Sequence, residues 1–186
     1  YIVLEFVGGV TLLEHLQGPP RPYSEIAEIV ELLARAMHYA HNKGIVHRDL
    51  KPGNVLLHRI AKSSGSGDSF PGSPQSSSAI SGRSDGRISS GIVPKIMDFG
   101  LAKQLDVESE LTRTGTVLGT PSYMSPEQAA GNQPIGPSTD IYALGAILYS
   151  LLTGNPPFRG KTVLETIVLL QRNEPEQPSK ARRGVP

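Results

Sequence analysis

The sequence of 186 residues contains no cysteine, almost no net charge and no long hydrophobic run. The absence of cysteine excludes a disulfide framework and thiolate metal ligands, and it fits a reducing, cytoplasmic location. A formal net charge of +1 provides no electrostatic footprint for nucleic acid or for an acidic membrane surface. Any partner must therefore be recognised through local sites.

The apolar residues suffice for one buried core but are not arranged for a membrane. The longest apolar stretch, residues 141–152, is interrupted by polar residues and is far shorter than the ~20 residues of a membrane-spanning helix. No signal peptide is recognisable, and the chain opens at Tyr1 inside a strand-like run, so we interpret it as a fragment. We expect one domain and no membrane contact from this segment.

The sequence predicts three helices and several short strands: one at residues 1–7, one on each side of residues 47–54, and one that starts at Pro94 and ends at the turn of residues 98–100. Residues 1–7 form an apolar, β-branched run that predicts a strand entering a linker. Residues 24–44 have helical spacing with Ser24 as the cap, residues 140–153 predict a central core helix, and residues 162–170 predict a weaker amphipathic helix. The apolar positions of the first helix are Ile26, Ile29, Val30, Leu33, Met37 and Ala40.

A change of composition marks an insertion at about residues 60–93. This segment is rich in serine and glycine and has almost no aromatic residues. It cannot bury enough apolar surface to offset its ordering entropy, so we predict a disordered insertion at the tip of a hairpin. Order is expected to resume at Pro94, and the fold should survive deletion of the insertion.

Three separated polar features suggest phosphoryl transfer: Asp49 with Lys51 and Asn54 in one loop, Asp98 at a Phe-Gly turn, and a Thr-rich stretch before Pro126-Glu127. This chemistry requires Mg²⁺ held by oxygen ligands, a carboxylate near the incoming hydroxyl, and a cation for the developing charge. Asn54 and Asp98 can supply the metal ligands. Asp49 can supply the carboxylate and Lys51 the cation.

Three motifs resemble those of the protein kinase family. They are HRDLKPGN at residues 47–54, DFG at residues 98–100 and GTPSYMSPE at residues 119–127. The resemblance implies an α+β, protein-kinase-like fold, in which residues 1–186 form the hinge and a mainly helical C-terminal lobe with small β hairpins. It also implies a serine/threonine protein kinase that transfers the γ-phosphate of ATP to protein hydroxyls, with ATP and Mg²⁺ as cofactors.

The resemblance assigns roles in transfer. Asp49 accepts or orients the substrate hydroxyl proton, Asn54 and Asp98 bind Mg²⁺, and Lys51 steadies the transferred phosphate. Lys51 together with Thr120 indicates the serine/threonine branch, and Thr120 is expected to hydrogen-bond near Asp49. The simpler alternative for Asp49 and Lys51 is a surface ion pair worth at most about 1 kcal/mol.

The resemblance also assigns an adenine site and a regulatory site. The backbone of Glu5 and Val7 would bind adenine, with Leu4 as the gatekeeper and Leu56 on the floor of the pocket, where a core role is the default. The regulatory site would join Arg48 to a phosphorylated activation segment, and ordinary loop polarity is the alternative. The candidate phosphate carriers are Thr112, Thr114 and Thr116.

Four residues are expected to support the site without touching substrate. His47 and Phe99 would pack, and Phe99 would position Asp98. Asp140 would accept backbone N–H bonds from the loop of residues 47–54. Glu127 would pair with an arginine of a late helix. That helix is expected to be missing from this sequence.

Several alternatives stay open. The sequence lacks a Gly-rich phosphate loop, a strand lysine and its partner glutamate, so the fragment itself is expected to be inactive. A pseudokinase or kinase-fold scaffold is the alternative function. A nucleotide-binding module of the P-loop type is set aside, because the sequence lacks the Gly-x-x-x-x-Gly-Lys motif. The resemblance implies protein substrates, allows a homodimer for trans-autophosphorylation, and leaves open a membrane anchor outside this segment with the kinase domain on the cytoplasmic side.

Overall fold

The computed structural model describes residues 7–59, 91–99, 121–131 and 134–185. Within these ranges the strands are β1 (Val10–Thr11), β2 (Val55–Arg59) and β3 (Ile92–Ile96). The helices are α1 (Leu12–Leu16), α2 (Tyr23–Asn42), α3 (Pro126–Ala130), α4 (Pro137–Thr153), α5 (Val163–Arg172) and α6 (Pro178–Ala181). Short 3-10 turns lie at Pro52–Asn54 and Pro121–Tyr123.

The three strands form an antiparallel sheet in the order β1-β2-β3. Leu57 of the central strand pairs with Val10 on one side and Pro94 on the other. A side chain at Gly9 would bring its Cβ to 2.5 Å from the Leu57 carbonyl oxygen, so the close approach of the chain there requires glycine. The sheet places the residues after Asn54 beside those before Met97.

The strand expected after the insertion is present as β3 and begins at Ile92, two residues before Pro94, whereas residues 45–46 do not form the strand expected before His47. Ile92 is buried in the core and pairs with Arg59. Pro94 lies within β3, where the absence of a backbone donor is tolerated in a strand at the sheet's edge. Residues 60–90 of the predicted insertion lie outside the described residues. Residues 1–6 of the predicted first strand also lie outside them.

Helix α2 buries the face that its periodicity predicted. Ile26, Ile29, Leu33, Met37 and Ala40 are buried, and Val30 is half-buried. Each fully buried side chain of this size contributes roughly 1.5–3 kcal/mol to folding. The predicted cap was wrong: the helix begins at Tyr23, directly after Pro22, and Ser24 lies inside its first turn. Proline has no side-chain oxygen, so this end has no side-chain cap.

Helix α4 packs against α2 at the centre of the core. It begins at Pro137 rather than at the predicted Asp140, since proline's fixed φ suits the first helical position. Its buried residues include Ala143, Ile147 and Leu151. The predicted third helix is confirmed as α5, whose Thr162 side chain accepts a hydrogen bond from the Glu165 amide.

The sequence patterns did not anticipate the short helices α1 and α3. Both begin with a capping box, formed by Thr11 with Glu14 and by Ser125 with Gln128. In the part of the chain that is described, no helix has both the length and the apolar character needed to cross a membrane.

Candidate active site

The catalytic loop, defined here as residues 47–54, is anchored by the fully buried carboxylate of Asp140 in the first turn of α4. Asp140 Oδ2 accepts a hydrogen bond from the His47 amide, and Oδ1 accepts one from the Arg48 amide, each at 2.9 Å. His41 Nε2 also lies 2.7 Å from Oδ2. These are the backbone contacts that the resemblance implied, with His41 as an additional partner.

His47 connects the loop to the strand end that carries Asp98. Its ring is fully buried, and Nδ1 accepts from the Asp49 amide at 3.2 Å while Nε2 donates to the Met97 carbonyl at 2.9 Å. The tautomer protonated at Nε2 satisfies both contacts. The ring also packs on Phe99, with centroids 4.9 Å apart. His47 and Phe99 therefore have the packing roles expected for them.

The Asp49 carboxylate lies between two side chains of its own loop. Lys51 Nζ donates to Asp49 Oδ2 at 2.9 Å. Asn54 Nδ2 donates to the Asp49 carbonyl at 2.8 Å and to Oδ2 at 3.3 Å. The Lys51 and Asp49 side chains are only 29% and 26% exposed, so this is a sheltered pair rather than a freely solvated one.

Backbone strain accompanies both acidic residues. Among the residues that the structure describes, Arg48 and Asp98 are the two non-glycine residues with positive φ, at +68° and +56°. Such conformations cost on the order of 1–3 kcal/mol and concentrate at functional sites. Arg48 directly precedes Asp49, so the strain borders one acidic residue and falls on the other.

Asn54 and Asp98 are brought together as candidate metal ligands. The Met97 amide donates to the Asn54 carbonyl at 2.8 Å, which places Asp98 next to Asn54. The Asn54 Nδ2 is occupied by Asp49, and no described residue donates to its Oδ1. The described ranges hold no cluster of three or more His, Cys, Asp or Glu side chains suited to a metal. Two oxygen ligands fit Mg²⁺, which completes its shell with phosphates and water.

The segment of residues 121–131 packs on α4 through Tyr123. Its hydroxyl donates to Ser150 Oγ at 3.2 Å, and Ser150 Oγ in turn donates to the Ala146 carbonyl. Burial raises the pKa of Tyr123, although the Ser150 bond and the charge of Arg159 both act to lower it. The neutral phenol is therefore the form that holds this segment on the core.

Glu127 has two hydroxyl groups as side-chain partners. Its Oε1 accepts from Ser138 Oγ at 3.1 Å and from Thr139 Oγ1 at 3.0 Å. Burial raises the pKa of Glu127, but hydrogen bonds from its own amide and from Thr139, Ser138 and Ser125 outweigh burial, and the net pKa is lowered. Among the described residues, hydroxyl groups hold the Glu127 carboxylate, and its pairing with an arginine of a later helix stays a prediction.

Comparison with known proteins agrees with this geometry. The family model described as the protein kinase domain matches residues 1–181. The chain belongs to the protein kinase family. The predicted family and fold are therefore confirmed.

Three similar kinases come from bacteria. Over the whole chain it is 34% identical to the serine/threonine-protein kinase PknB of Mycobacterium leprae. It is 41% identical over 88% of its length to the probable serine/threonine-protein kinase PknB of Lactococcus lactis, and 39% identical over 82% to the DNA damage-responsive serine/threonine-protein kinase RqkA of Deinococcus radiodurans. The predicted serine/threonine class agrees with these names. The chain spans 25%, 21% and 18% of the lengths of these relatives.

Of the other residues that the kinase resemblance singled out, some lie within the described ranges and others lie outside them. Leu56 is buried on β2, and Val7 is half-buried just before β1. Arg48 is half-buried, and its Nε is buried without a hydrogen-bond partner among the described residues. Six further predicted residues lie outside the described ranges: Leu4, Glu5, Thr112, Thr114, Thr116 and Thr120.

Sequence reasoning missed two polar residues beside the candidate site. Gln128 Nε2 donates to the Arg48 carbonyl at 2.6 Å, and the Ser-x-x-Gln capping box at Ser125 could have drawn attention to it. His41 had no comparable local pattern, because its partner Asp140 is 99 residues away in the chain.

Proposed function

We propose that the full-length protein is a serine/threonine protein kinase that transfers the γ-phosphate of ATP to serine or threonine hydroxyls of other proteins. The observation that carries the proposal is the placement of Asp49 between Lys51 and Asn54 in a loop anchored to the core. Protein kinases use ATP and Mg²⁺ and act on protein substrates. We propose cytoplasmic placement of the kinase domain, where its ATP is available.

Asp49 is proposed to accept or orient the proton of the incoming hydroxyl. Its Oδ2 contacts Lys51 and Asn54, which fix the direction of the carboxylate. A positioned acid–base group of this kind contributes about 10²–10⁴-fold to rate. Lys51, already beside Asp49, would offset the charge that develops on the transferred phosphoryl group.

Asn54 and Asp98 are proposed to hold Mg²⁺ through side-chain oxygens. Asn54 commits its amide nitrogen to Asp49, which leaves its carbonyl oxygen for a ligand. Bound there, Mg²⁺ would neutralise charge on the phosphates of ATP. The adenine would lie against Leu56 and the backbone of Glu5 and Val7.

Regulation is proposed to act through Arg48. Its guanidinium Nε is buried and has no acceptor among the described residues, which suits a phosphate acceptor. Phosphorylation of Thr112, Thr114 or Thr116 would supply one. We propose that a homodimer phosphorylates these residues in trans. In a mixture, wild-type protein should then phosphorylate the Asp49→Asn variant. The rate should rise with the concentrations of the wild-type protein and of the variant.

The deciding experiment is transfer of labelled phosphate from ATP to a generic basic protein by the full-length protein. Asp49→Asn should lower the rate by about 10²–10⁴-fold, with the label on serine and threonine in the wild-type reaction. Glu31→Gln is the control, since Glu31 forms an exposed pair with Arg35 on α2. Mg²⁺-dependent ATP binding without transfer would favour the pseudokinase alternative instead.

A further inference from the structure

Gln128 joins the segment of residues 121–131 to the catalytic loop. Its Nε2 donates to the Arg48 carbonyl at 2.6 Å, and its Oε1 accepts from the Ser125 amide at 3.0 Å. The second contact is half of the capping box that begins α3. One amide side chain therefore caps a helix with its oxygen and contacts the loop with its nitrogen.

The loop contact falls on the peptide group that leads into Asp49. The Arg48 carbonyl and the Asp49 amide belong to one planar unit, so fixing either end orients the other. Gln128 fixes the carbonyl, while His47 Nδ1 accepts from the Asp49 amide at 3.2 Å. Asp140 accepts from the Arg48 amide on the other side of the strained residue. Each end of this peptide group is thus held by a side chain.

The residue type at position 128 is explained by the loop contact and not by the cap. Glutamate and glutamine serve equally at this position of a capping box. An ionised glutamate has no donor for the Arg48 carbonyl, whereas glutamine supplies both an acceptor and a donor. The nitrogen of Gln128 is needed for the contact with the catalytic loop.

We propose that Gln128 is a positioning residue that holds the Arg48–Asp49 peptide group and so couples the packing of residues 121–131 to the direction of the Asp49 carboxylate. The proposal rests on the proposed kinase function. Displacement of residues 121–131 would release the Arg48 carbonyl and misdirect Asp49, which lowers turnover without removing any group that touches substrate.

Two variants of the full-length protein separate this role from helix capping and from charge. Gln128→Glu keeps the capping box and removes the donor, whereas Gln128→Met removes the donor and the side-chain half of the box without adding charge. Each should lower kcat by about tenfold, equivalent to about 1.4 kcal/mol, with the KM for ATP unchanged. Gln171→Glu is the matched control, since Gln171 Nε2 donates to the Ala129 carbonyl of the same helix at 2.9 Å.

A pH profile distinguishes positioning from a general structural defect. As the pH falls and the new carboxyl of Gln128→Glu becomes protonated, it regains a donor for the Arg48 carbonyl. Its deficit in kcat should therefore shrink towards low pH, whereas the deficit of Gln128→Met should not. The proposal is overturned if Gln128→Glu retains the kcat of Gln171→Glu, or if the two deficits follow the same pH dependence.

Hydrogen exchange of the Asp49 amide decides the proposal even if the wild-type protein transfers no phosphate. Absence of phosphate transfer would overturn the proposed kinase function but not the positioning role of Gln128. Faster exchange at Asp49 in Gln128→Glu than in Gln171→Glu would then support positioning, and equal rates would overturn it. In an active protein, a fall in kcat with unchanged exchange at Asp49 would likewise overturn it, because Gln128 would not act through this peptide group.

Discussion

The two acidic residues of the site are held in different ways. The loop that carries Asp49 is fixed through its backbone by Asp140, whose buried side-chain oxygens accept hydrogen bonds from two loop amides. Asp98 is exposed, and its position depends on its neighbours Met97 and Phe99. The backbone that precedes Asp49 is therefore held by a buried carboxylate of α4, whereas Asp98 is held through the contacts of its neighbours with the His47 ring.

Substitution of aspartate by asparagine at Asp140 and at Asp98 should give the largest difference in the free energy of unfolding. Asp140→Asn replaces an acceptor of three hydrogen bonds with a group that offers one oxygen, and it should lower the free energy of unfolding by about 3 kcal/mol. Asp98→Asn should change it by no more than about 0.5 kcal/mol, because Asp98 is exposed. Denaturant unfolding of both variants measures the contrast, and equal losses would refute it.

Removal of the Phe99 ring should weaken the attachment of Asp98 and lower the stability by an intermediate amount. Phe99→Ala loses the contact with the His47 ring and partly buried apolar surface, and the expected loss of stability is about 2 kcal/mol. Phe99→Leu retains most of the volume and should lose about half as much. Thermal unfolding compares the two. A loss in Phe99→Ala as large as that of Asp140→Asn would mean that both sides are equally anchored.

A third attachment, at residues 121–123, extends the comparison to the neighbouring segment. Tyr123→Phe removes the hydrogen bond to Ser150 and keeps the ring, so it should cost about 1 kcal/mol. Tyr39→Phe is the matched control, since Tyr39 is 68% exposed and should change stability by less than about 0.5 kcal/mol. Unfolding curves that coincide for the two variants would show that the Tyr123 hydroxyl does not anchor this segment.

Glu127 should give the smallest effect, visible as a dependence on pH. Hydrogen bonds lower its folded pKa, so its carboxylate stabilises the fold above the ordinary value of 4.5, and this contribution is lost as the pH falls through the folded pKa. Between about pH 6 and about pH 3, the wild type should lose about 0.5 kcal/mol more than Glu127→Gln, a small value because the side chain is partly exposed.

The donors of Glu127 provide a graded check. Ser138→Ala removes one of its hydroxyl partners and should fall between the wild type and Glu127→Gln in its loss on acidification. Identical acid losses in all three proteins would contradict the assignment of these bonds as the cause of the lowered pKa.

Local patterns were enough for the three long helices and the kinase motifs. The apolar spacing of α2 was confirmed by the burial of Ile26, Ile29 and Leu33, because a helix repeats its faces within a few residues. The start of α2 was wrong, since the serine pattern outweighed Pro22 in the prediction. Partners far away in the chain, such as His41 for Asp140 and Gln128 for Arg48, leave no spacing to recognise.

The sequence by itself determined the family and the chemical groups present, because HRDLKPGN and DFG specify residue types at fixed local spacing. The resemblance implied the contact of Asp140 with the loop, and the tertiary structure alone decided the other atoms that hold these groups. Buried donors and acceptors must find partners wherever the packed helices bring one within reach. Asp140 and Gln128 contact the Arg48 backbone because α3 and α4 pack beside the catalytic loop, and no local pattern encodes that distance.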